Sequence, residues 1–372
     1  MAAKYPIGIQ TFEKIIENKM VYVDKTDLVY KIANGTQNNF LSRPRRFGKS
    51  LLVSTLQAYF EGRKELFKGL AIDKLEKDWT TYPVLHLDLS RNKYYDLNSL
   101  ISTLNLILEE YEELYGISKE QNDKPGNRLD RIIKAAYTQT GRPVVVLVDE
   151  YDAPMLDSNN KPELQQEIRD VMRGFFSPLK ARESMLRFVF LTGITKFSQL
   201  SIFSELNNIK NYSLDDEYAT ICGFTQEEIL ANFHEGIEEI AKANGMTTDE
   251  AVKKLKEQYD GYHFSVNCPN VYNPYSLLNA LYDKKFDNYW FSTGTPTFLL
   301  ELLSKKNILI PELEGITASR QRFDAPTEKV NDPVPVLYQS GYITIKEYQN
   351  GMYKLGFPNE EVRQGFSESM LK

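Results

Sequence analysis

Gly48, Lys49 and Ser50 are the residues best placed for chemistry, because they stand between a short apolar run and a segment with helical spacing. In the phosphate-binding pattern GxxxxGK[ST], main-chain N–H groups surround the phosphates, the lysine reaches the outer phosphates and the hydroxyl binds Mg²⁺. Arg43 replaces the first glycine of this pattern. The motif is therefore incomplete, and its surroundings must decide whether it binds phosphate.

Asp149 and Glu150 directly follow Val144–Val148, an apolar run that is typical of a strand buried on both faces. A carboxylate at the end of such a strand can hold Mg²⁺ through water, and its neighbour can orient and polarise an attacking water. A solvated strand end is the alternative, which the loop at Gly48 disfavours. The phosphate-loop motif and this acidic strand end together predict Ser50 and Asp149 as metal ligands and Glu150 as the catalytic base.

Thr192 ends the fourth apolar run, where a hydroxyl can sense the γ-phosphate of a nucleotide; a plain hydroxyl between strand and loop is the alternative. The predicted catalytic residues are Lys49, Glu150 and Thr192. The predicted nucleotide-binding residues are Arg45, Arg46, Phe47, Gly48, Lys49, Ser50 and Leu51. Arg43, Arg45 and Arg46 can each clamp phosphate or pair with a neighbouring acid, and the sequence leaves both possibilities open.

The elements that carry these residues alternate between strand and helix up to about residue 215. Apolar runs of strand length are Phe40–Leu41, Val84–Ser90, Val144–Val148 and Leu186–Leu191, with a weaker one at Asn211–Leu214. Segments with helical spacing are Leu51–Phe60, Leu97–Tyr115 and Leu164–Leu179. Strands that alternate with helices form parallel βαβ units with right-handed crossovers. The sequence therefore predicts an α/β domain with a parallel sheet.

Beyond residue 216 helices replace this alternation. Two are predicted at Thr225–Ile240 and Thr248–Tyr259, and two more start at Asn273 and Thr295 and run through Leu281 and Leu303. Near the end, the alternating runs Tyr342–Lys346 and Met352–Leu355 flank Asn350-Gly351, a strong hairpin signal. We predict an N-terminal segment at 1–36, a P-loop domain at 37–215, and a mainly helical domain with a winged-helix-like hairpin at 216–372.

The 372 residues are 42% hydrophobic and 26% charged, which is ordinary globular composition. The net charge of −6 excludes a basic nucleic-acid coat, so any nucleic-acid contact would need a local patch. Cys222 and Cys268 form no CxxC pair, which argues against a zinc site or a disulfide framework. No apolar run is long enough for a signal peptide or a membrane span. We expect a cytoplasmic protein without membrane contact.

These motifs together resemble the bacterial AAA-ATPase-like proteins, in which a P-loop ATPase is usually followed by a PD-(D/E)XK nuclease. The matching segments are Ile7–Ile9 with Phe12, Tyr22–Thr26, Arg43–Ser50, Val146–Asp152, Leu191–Phe197, Tyr259–Phe264 and Leu355–Arg363. In that family the phosphate loop commonly looks like RPRRFGKS. Arg43 therefore departs from the general P-loop pattern and follows the family pattern.

The resemblance implies an additional-strand P-loop ATPase in which the Walker B strand, ending at Asp149, lies between the loop strand and the other strands. It also implies that Glu150 is the catalytic base. The family's nuclease needs an acid and a [DE]-x-K pair on a strand, because two carboxylates hold the metal and a lysine supports the attacking water. The final 60 residues offer no such arrangement. We therefore expect the nuclease to be absent or truncated.

The sequence thus predicts an ATP-binding and ATP-hydrolysing regulatory protein with ATP and Mg²⁺ as cofactors. Its helical domain would report the nucleotide state to a protein partner or to a second copy of the chain. One alternative is a nucleic-acid-binding module with a vestigial nucleotide pocket, in which the hairpin makes a weak nucleic-acid contact. The other alternative is an oligomeric scaffold that does not hydrolyse ATP.

Overall fold

A computed structural model describes residues 4–118, 123–158, 161–196, 209–293, 303, 309–327 and 332–370. The chain forms two compact units that interleave along the sequence. The helical unit comprises Met1–Lys25, Arg43–Leu52 and Tyr212–Lys372, and the sheet unit comprises Thr26–Ser42 and Val53–Asn211. The domain bounds at 1–36, 37–215 and 216–372 stay a prediction. Phe197 and the predicted helix start at Thr295 lie outside the described residues.

The sheet unit is built around five parallel strands. They are β1 (Asn38–Ser42), β2 (Val84–Asp88), β3 (Val144–Asp149), β4 (Leu186–Gly193) and β5 (Lys210–Asn211). The order across the sheet is β2-β3-β4-β1-β5, and each neighbouring pair is parallel. This confirms the predicted α/β fold with a parallel sheet of the additional-strand type.

The predicted neighbour of the loop strand is wrong. β4 lies between β1 and β3, with Leu41 opposite Thr192 on one side and Val148 opposite Leu191 on the other. Strands in the middle of a parallel sheet are covered on both faces, so their apolar runs look alike and do not reveal which strands pair. β5 is also shorter and one residue earlier than Asn211–Leu214, because it pairs only with Asn39 and Phe40.

Helices of the sheet unit cover the apolar strands. They are Thr26–Ala33, Ala71–Leu75, Leu97–Leu114, Pro125–Thr140, Ala153–Asp157 and Pro162–Ala181. Strand residues such as Leu87 and Val146 share one buried cluster with Leu104, Ile132 and Met172 from three of these helices. The helix Lys49–Phe60 begins inside the phosphate-loop motif, two residues before the predicted start at Leu51. The helix Pro125–Thr140 was not predicted.

The helical unit combines short helices with a small antiparallel sheet. Its helices are Phe12–Glu17, Gln226–Asn232, His234–Ala243, Thr248–Tyr259, Pro274–Asp283, Tyr289–Ser292, Arg320–Phe323, Val334–Gln339 and Glu360–Met370. The strands β6 (Ile316–Ala318), β7 (Thr344–Gln349) and β8 (Met352–Gly356) pair in the order β6-β8-β7. The predicted hairpin is confirmed, with Asn350-Gly351 at its turn.

The predicted helix Thr225–Ile240 is two helices that meet at Phe233. Phe233 leaves the helical conformation, with φ −124° and ψ 21°, and is buried beside the rings of Tyr5 and Phe224. Helical periodicity continues across such a break because the buried ring still fits the apolar spacing. The sequence pattern therefore does not reveal it.

Candidate functional site

The loop Arg43–Ser50 turns sharply before the helix that starts at Lys49. Arg46 and Gly48 both have positive φ angles, +67° and +94°. A side chain at Gly48 would meet no atom within 4 Å, so glycine is required there by its backbone angle and not by lack of space. The main-chain N–H of Leu52 already donates to Gly48 O at 3.0 Å. This is the backbone form expected of a phosphate-binding loop at a helix N-terminus.

Lys49 lies inside this loop. Its side chain is buried, and its ammonium Nζ donates to the main-chain carbonyl of Pro44 at 3.2 Å. Ser50 and Leu51, the other predicted binding residues of the helix start, are half-buried. The positive charge of Lys49 is therefore held against the main chain of its own loop.

Arg43 has a structural role in the helical unit. Its guanidinium donates to the carbonyls of Ser213 at 2.9 Å, Tyr218 at 3.1 Å and Ala219 at 3.5 Å, and lies 4.2 Å from the ring centre of Phe264. Only 2% of the residue is exposed, and this burial lowers the pKa of the guanidinium. The side chain that replaces the usual first glycine thus fixes the start of the loop to main-chain carbonyls. These contacts explain the buried position of Arg43 without a bound phosphate and without an acidic partner.

Arg45 and Arg46 contact aromatic rings of the helical unit. The guanidinium of Arg45 lies 5.0 Å from the ring centre of Trp290, whose indole Nε1 donates to Arg45 O at 3.0 Å. The exposed Arg46 lies over Tyr275 at 4.9 Å. Nη2 of Arg45 is buried and has no hydrogen-bond partner in the described part of the chain. A buried donor without an acceptor among the described residues suits a residue that meets an anion.

Phe47 is buried between two rings, with ring centres 4.7 Å from Tyr262 and 5.4 Å from Phe264. Its side chain is therefore part of the apolar core of the helical unit. Only its main-chain N–H remains for the nucleotide-binding role that the sequence predicts.

Asp149 and Glu150 stand at the carboxyl edge of the sheet unit. Asp149, the last residue of β3, is 3% exposed and its Oδ1 accepts from the N–H of Glu150 at 3.0 Å. Glu150 is half-buried and has a left-handed backbone, with φ +51°. β1 ends at the same edge, where Ser42 is opposite Gly193. Ligands of open parallel sheets bind at this edge.

Thr192 lies in the middle of the sheet edge and is fully buried. Its hydroxyl Oγ1 donates to Leu41 O at 2.8 Å. This bond joins β4 to the end of β1, just before the loop. A hydroxyl that donates there can meet a phosphate only through its lone pairs or after that bond opens. The sensing role of Thr192 stays a prediction.

Asp152 is a further buried carboxylate near the carboxyl edge of the sheet, and the sequence motifs did not single it out. It is fully buried, and Oδ2 accepts from the N–H groups of Ile194 at 3.0 Å and Thr195 at 2.6 Å and from Thr195 Oγ1 at 2.8 Å. A Cβ at Gly193 would lie 2.3 Å from Asp152 Oδ1, so only glycine fits there. Asp152 ends the segment Val146–Asp152, which is one of those that carry the family resemblance, and this was the signal in the sequence that could have identified it.

Other charged groups of the helical unit have partners within the protein. On the hairpin, Lys346 Nζ donates to Pro358 O at 3.1 Å and Lys354 Nζ lies 3.2 Å from Glu347 Oε1. Across the described ranges, no cluster of three or more His, Cys, Asp or Glu side chains could hold a metal. Of the helices in those ranges, none is long and apolar enough to cross a membrane.

The sequence is similar to a known protein family and to a bacterial protein. A family model described as Predicted AAA-ATPase matches residues 6–203. The "Uncharacterized protein in vnfD 5'region" of Azotobacter chroococcum mcd 1 is 37% identical over an alignment of 374 positions that covers 99% of this chain and 70% of that protein.

Two solved structures show only a distant similarity. The Aeropyrum pernix ORC1 protein in complex with DNA is 11% identical, with 92% of this chain and 91% of that chain covered and a TM-score of 0.32. CDC6P from Pyrobaculum aerophilum is 10% identical, with 94% and 97% covered and the same TM-score. Similarity at this level carries no argument about function. The family match and the Azotobacter relative are sufficient by themselves, and the chain belongs to the AAA-ATPase-like family.

Proposed function

We propose that the protein binds and hydrolyses ATP with Mg²⁺ and that its helical unit transmits the state of the nucleotide to a partner. The observation that carries the proposal is the loop Arg43–Ser50, whose positive φ angles at Arg46 and Gly48 precede the first turn of a helix. Main-chain N–H groups in this arrangement favour phosphate. The AAA-ATPase-like family is consistent with this function.

The residues present fit a nucleotide and its metal. Gly48 leaves open space beside the loop, and the buried Nη2 of Arg45 is a donor without a protein partner in the described part of the chain. In the proposal the loop N–H groups and Lys49 hold the phosphates, and Ser50 and Asp149 hold Mg²⁺, directly or through water. When bound, Mg²⁺ neutralises phosphate charge. Glu150 orients and polarises the attacking water.

Transmission to a partner is supported by the contacts of the loop itself. Within the helical unit, Arg43, Arg45 and Phe47 each pack against aromatic residues beyond position 212. A nucleotide that rearranged the loop would therefore change packing in the region that carries the hairpin. In our proposal, a protein partner or a second copy of the chain binds the helical unit and responds to this change in packing.

Thermal unfolding with and without Mg-ATP tests the binding step. Ligand at about 100 times its dissociation constant adds about 2.7 kcal/mol to stability, so we expect a clear rise in Tm. Lys49→Ala removes most of that rise, whereas Lys253→Ala, a change at an exposed lysine of the same unit, leaves it intact. An unchanged Tm in the unaltered protein at millimolar Mg-ATP contradicts the proposal. Stabilisation without phosphate release supports the scaffold alternative instead.

A further inference from the structure

A cavity of about 960 Å³ lies within the helical unit. Its walls come from the end of the helix Thr248–Tyr259, from the start of the helix Glu360–Met370 and from the hairpin strand β7. None of its described lining residues belongs to the loop Arg43–Ser50. Binding cavities for small molecules have volumes of about 300–1,000 Å³. The cavity is therefore large enough for a small ligand and separate from the phosphate-loop motif.

Asp260 is a buried carboxylate in the wall of this cavity. Only 4% of the residue is exposed, and its Oδ1 has no hydrogen-bond partner in the described part of the chain. Burial raises the pKa of this carboxyl group, although the N–H of Gly261 and the charges of two nearby lysines oppose the rise. A buried carboxylate oxygen without a donor destabilises the folded protein. A ligand that supplied a donor to Asp260 would remove this cost.

The main chain around Asp260 is held in place by the opposite wall. Asp260 O accepts from Asn359 Nδ2 at 2.9 Å, and Asn359 Oδ1 accepts from the N–H of Val362 at 3.1 Å. Gly261 has φ +98°, and a Cβ at this position would clash with Pro358 O. The two segments thus meet main chain against main chain. The wall that carries Asp260 is therefore formed without a ligand.

The charged groups of the lining leave an excess of one negative charge. Lys346 Nζ already donates to Pro358 O at 3.1 Å, and Arg363 Nη2 lies 2.5 Å from Glu360 Oε2. The helix Thr248–Tyr259 also ends beside Asp260, and a helix C-terminus carries partial negative charge. A positively charged ligand therefore complements the lining. Its four carboxylates and three cationic groups are Glu257, Asp260, Glu314 and Glu360, and Lys256, Lys346 and Arg363.

An apolar surface belongs to the same cavity. Ile310, Pro311, Phe357 and Pro358 are among its lining residues, and the last two are buried. An aliphatic chain gains free energy by leaving water for such a surface, whereas a hydrated metal ion does not. In the described ranges, moreover, His, Cys, Asp and Glu side chains form no cluster of three or more that could hold a metal. The lining therefore suits an organic cation with an aliphatic chain.

We propose that this cavity binds a small aliphatic amine, whose ammonium group donates to the carboxylate of Asp260 and whose chain lies along Phe357 and Pro358. An ammonium group has three donors and no acceptor. It therefore supplies both the hydrogen bond that Asp260 lacks and the positive charge that the lining lacks. The site is distinct from the proposed nucleotide site, and its test needs no nucleotide.

Isothermal titration calorimetry of the full chain with n-butylamine and putrescine, at constant ionic strength, tests the site. Both amines should bind, whereas butyrate and 1-butanol, which have similar chains without the positive charge, should not. Asp260→Asn keeps the shape of the side chain and removes its charge. We expect this variant to raise the dissociation constant of the amines by about tenfold or more. Glu257→Gln, at an exposed residue of the same lining, should change it by less than about threefold.

Lys256→Gln provides a test in the opposite direction. This exposed lysine lies one helical turn before Asp260, and loss of its positive charge should strengthen amine binding by about twofold. A second readout is the Tm without ligand. Asp260→Asn should raise the Tm, because a neutral amide is less costly to bury than an unpartnered carboxylate. A carboxylate with a purely structural role would lower the Tm when replaced.

The absence of amine binding at millimolar concentrations overturns the proposal, as does amine binding that Asp260→Asn leaves unchanged. Circular dichroism establishes that each variant is folded. If Asp260→Asn does not fold, the comparison of butylamine with butyrate in the unaltered protein and in Lys256→Gln decides. Preference for butyrate, weakened by Lys256→Gln, would make the cavity an anion site and overturn the proposal. Binding of Mg²⁺ without binding of amines would overturn it as well.

Discussion

The indole Nε1 of Trp290 donates a hydrogen bond to the main-chain carbonyl of Arg45, with 3.0 Å between the two atoms. The same indole lies under the guanidinium of Arg45, and the main-chain N–H of Trp290 donates to Glu361 Oε1 at 2.6 Å. Trp290 and Glu361 are fully buried. The phosphate-loop motif is thus connected, through one tryptophan, to a carboxyl group in the interior of the helical unit.

Trp290→Phe removes the donor and keeps most of the ring. Arg45 O then loses its hydrogen bond, and we expect a loss of about 1 kcal/mol in the free energy of unfolding together with weaker stabilisation by Mg-ATP. Trp79→Phe is the matched control, because Trp79 Nε1 has no hydrogen-bond partner in the described part of the chain. Urea unfolding of both variants, with and without Mg-ATP, makes the comparison. Equal losses of nucleotide response in both would show that the Trp290 bond does not matter for the loop.

Glu361 predicts a pH dependence of stability. Burial raises the pKa of this carboxyl to about 7, although bonds from Ser276 Oγ and Trp290 N oppose the rise. The folded protein therefore binds the proton more tightly than the unfolded chain. Stability due to this group is complete below pH 4.5, falls as the pH rises and is lost above about pH 7, by about 3 kcal/mol in total.

Glu361→Gln tests this dependence, since a neutral amide can still accept from Trp290 N and donate to Ser276 Oγ. We expect the variant to gain stability relative to the unaltered protein between pH 5 and pH 8, as measured by urea unfolding at each pH. Glu360→Gln changes the adjacent, partly exposed residue and serves as control. The proposal for Glu361 is wrong if both variants follow the pH profile of the unaltered protein.

The sequence was sufficient for most of the individual strands and helices around the site and for the hairpin. Period-two and helical spacing are local, so Val144–Asp149, the helix Thr248–Tyr259 and the turn at Asn350-Gly351 could all be predicted. The motif also indicated the turn at Gly48. The strand order could not be predicted, because β3 and β4 are both apolar on each face.

The contacts of the phosphate-loop side chains could not be predicted either. Arg43 binds carbonyls about 170 positions later, and Trp290 lies 245 positions from Arg45. No local pattern reports contacts across such separations. The sequence therefore left phosphate binding and pairing with an acid both open for Arg43, whereas in the structure Arg43 binds main-chain carbonyls.

Gly341 allows Pro44 of the loop to approach closely. A Cβ at Gly341 would lie 2.7 Å from Pro44 Cβ and 2.8 Å from its Cγ, and the φ of Gly341 is +87°. Gly351 has a similar φ of +80° with nothing within 4 Å. Gly351→Ala therefore costs the backbone strain alone, about 1 kcal/mol. Gly341→Ala adds a clash with a rigid proline ring.

We expect Gly341→Ala to lower Tm more than Gly351→Ala and to reduce the response to Mg-ATP, because Pro44 O is the acceptor of Lys49 Nζ. Differential scanning fluorimetry with a nucleotide titration measures both effects. Equal changes in the two variants would mean that the Pro44 contact relaxes without consequence for the loop.

Arg43→Gly restores the general phosphate-loop consensus, yet we expect it to destabilise the protein. The change leaves the carbonyls of Ser213 and Tyr218 without their donor and opens a cavity beside Phe264. The expected loss in the free energy of unfolding is about 3 kcal/mol. Arg46→Gly, at an exposed position with φ +67°, is expected to be neutral or stabilising. Urea unfolding decides, and a stable Arg43→Gly variant with improved nucleotide binding would contradict the structural role.

Asp149 and Glu150 are expected to differ in function although they are adjacent. Asp149 is the last residue of β3, whereas Glu150 lies beyond the strand with a left-handed backbone, and this turn separates their side chains. Asp149→Asn should weaken Mg²⁺-dependent nucleotide binding. Glu150→Gln should leave binding nearly intact and lower the rate of phosphate release by about 100-fold, as expected for a general base.

Asp152→Asn is the control for this pair, because its carboxylate is fully buried and accepts from Ile194 and Thr195. It should lower stability, measured by urea unfolding, without separating binding from turnover. Nucleotide affinity and phosphate release are then measured for all three variants at a temperature where each is folded. If Asp149→Asn and Glu150→Gln lose binding equally, the division of roles is wrong. If Glu150→Gln retains full turnover, another group activates the water, and the left-handed turn at Glu150 serves the fold alone.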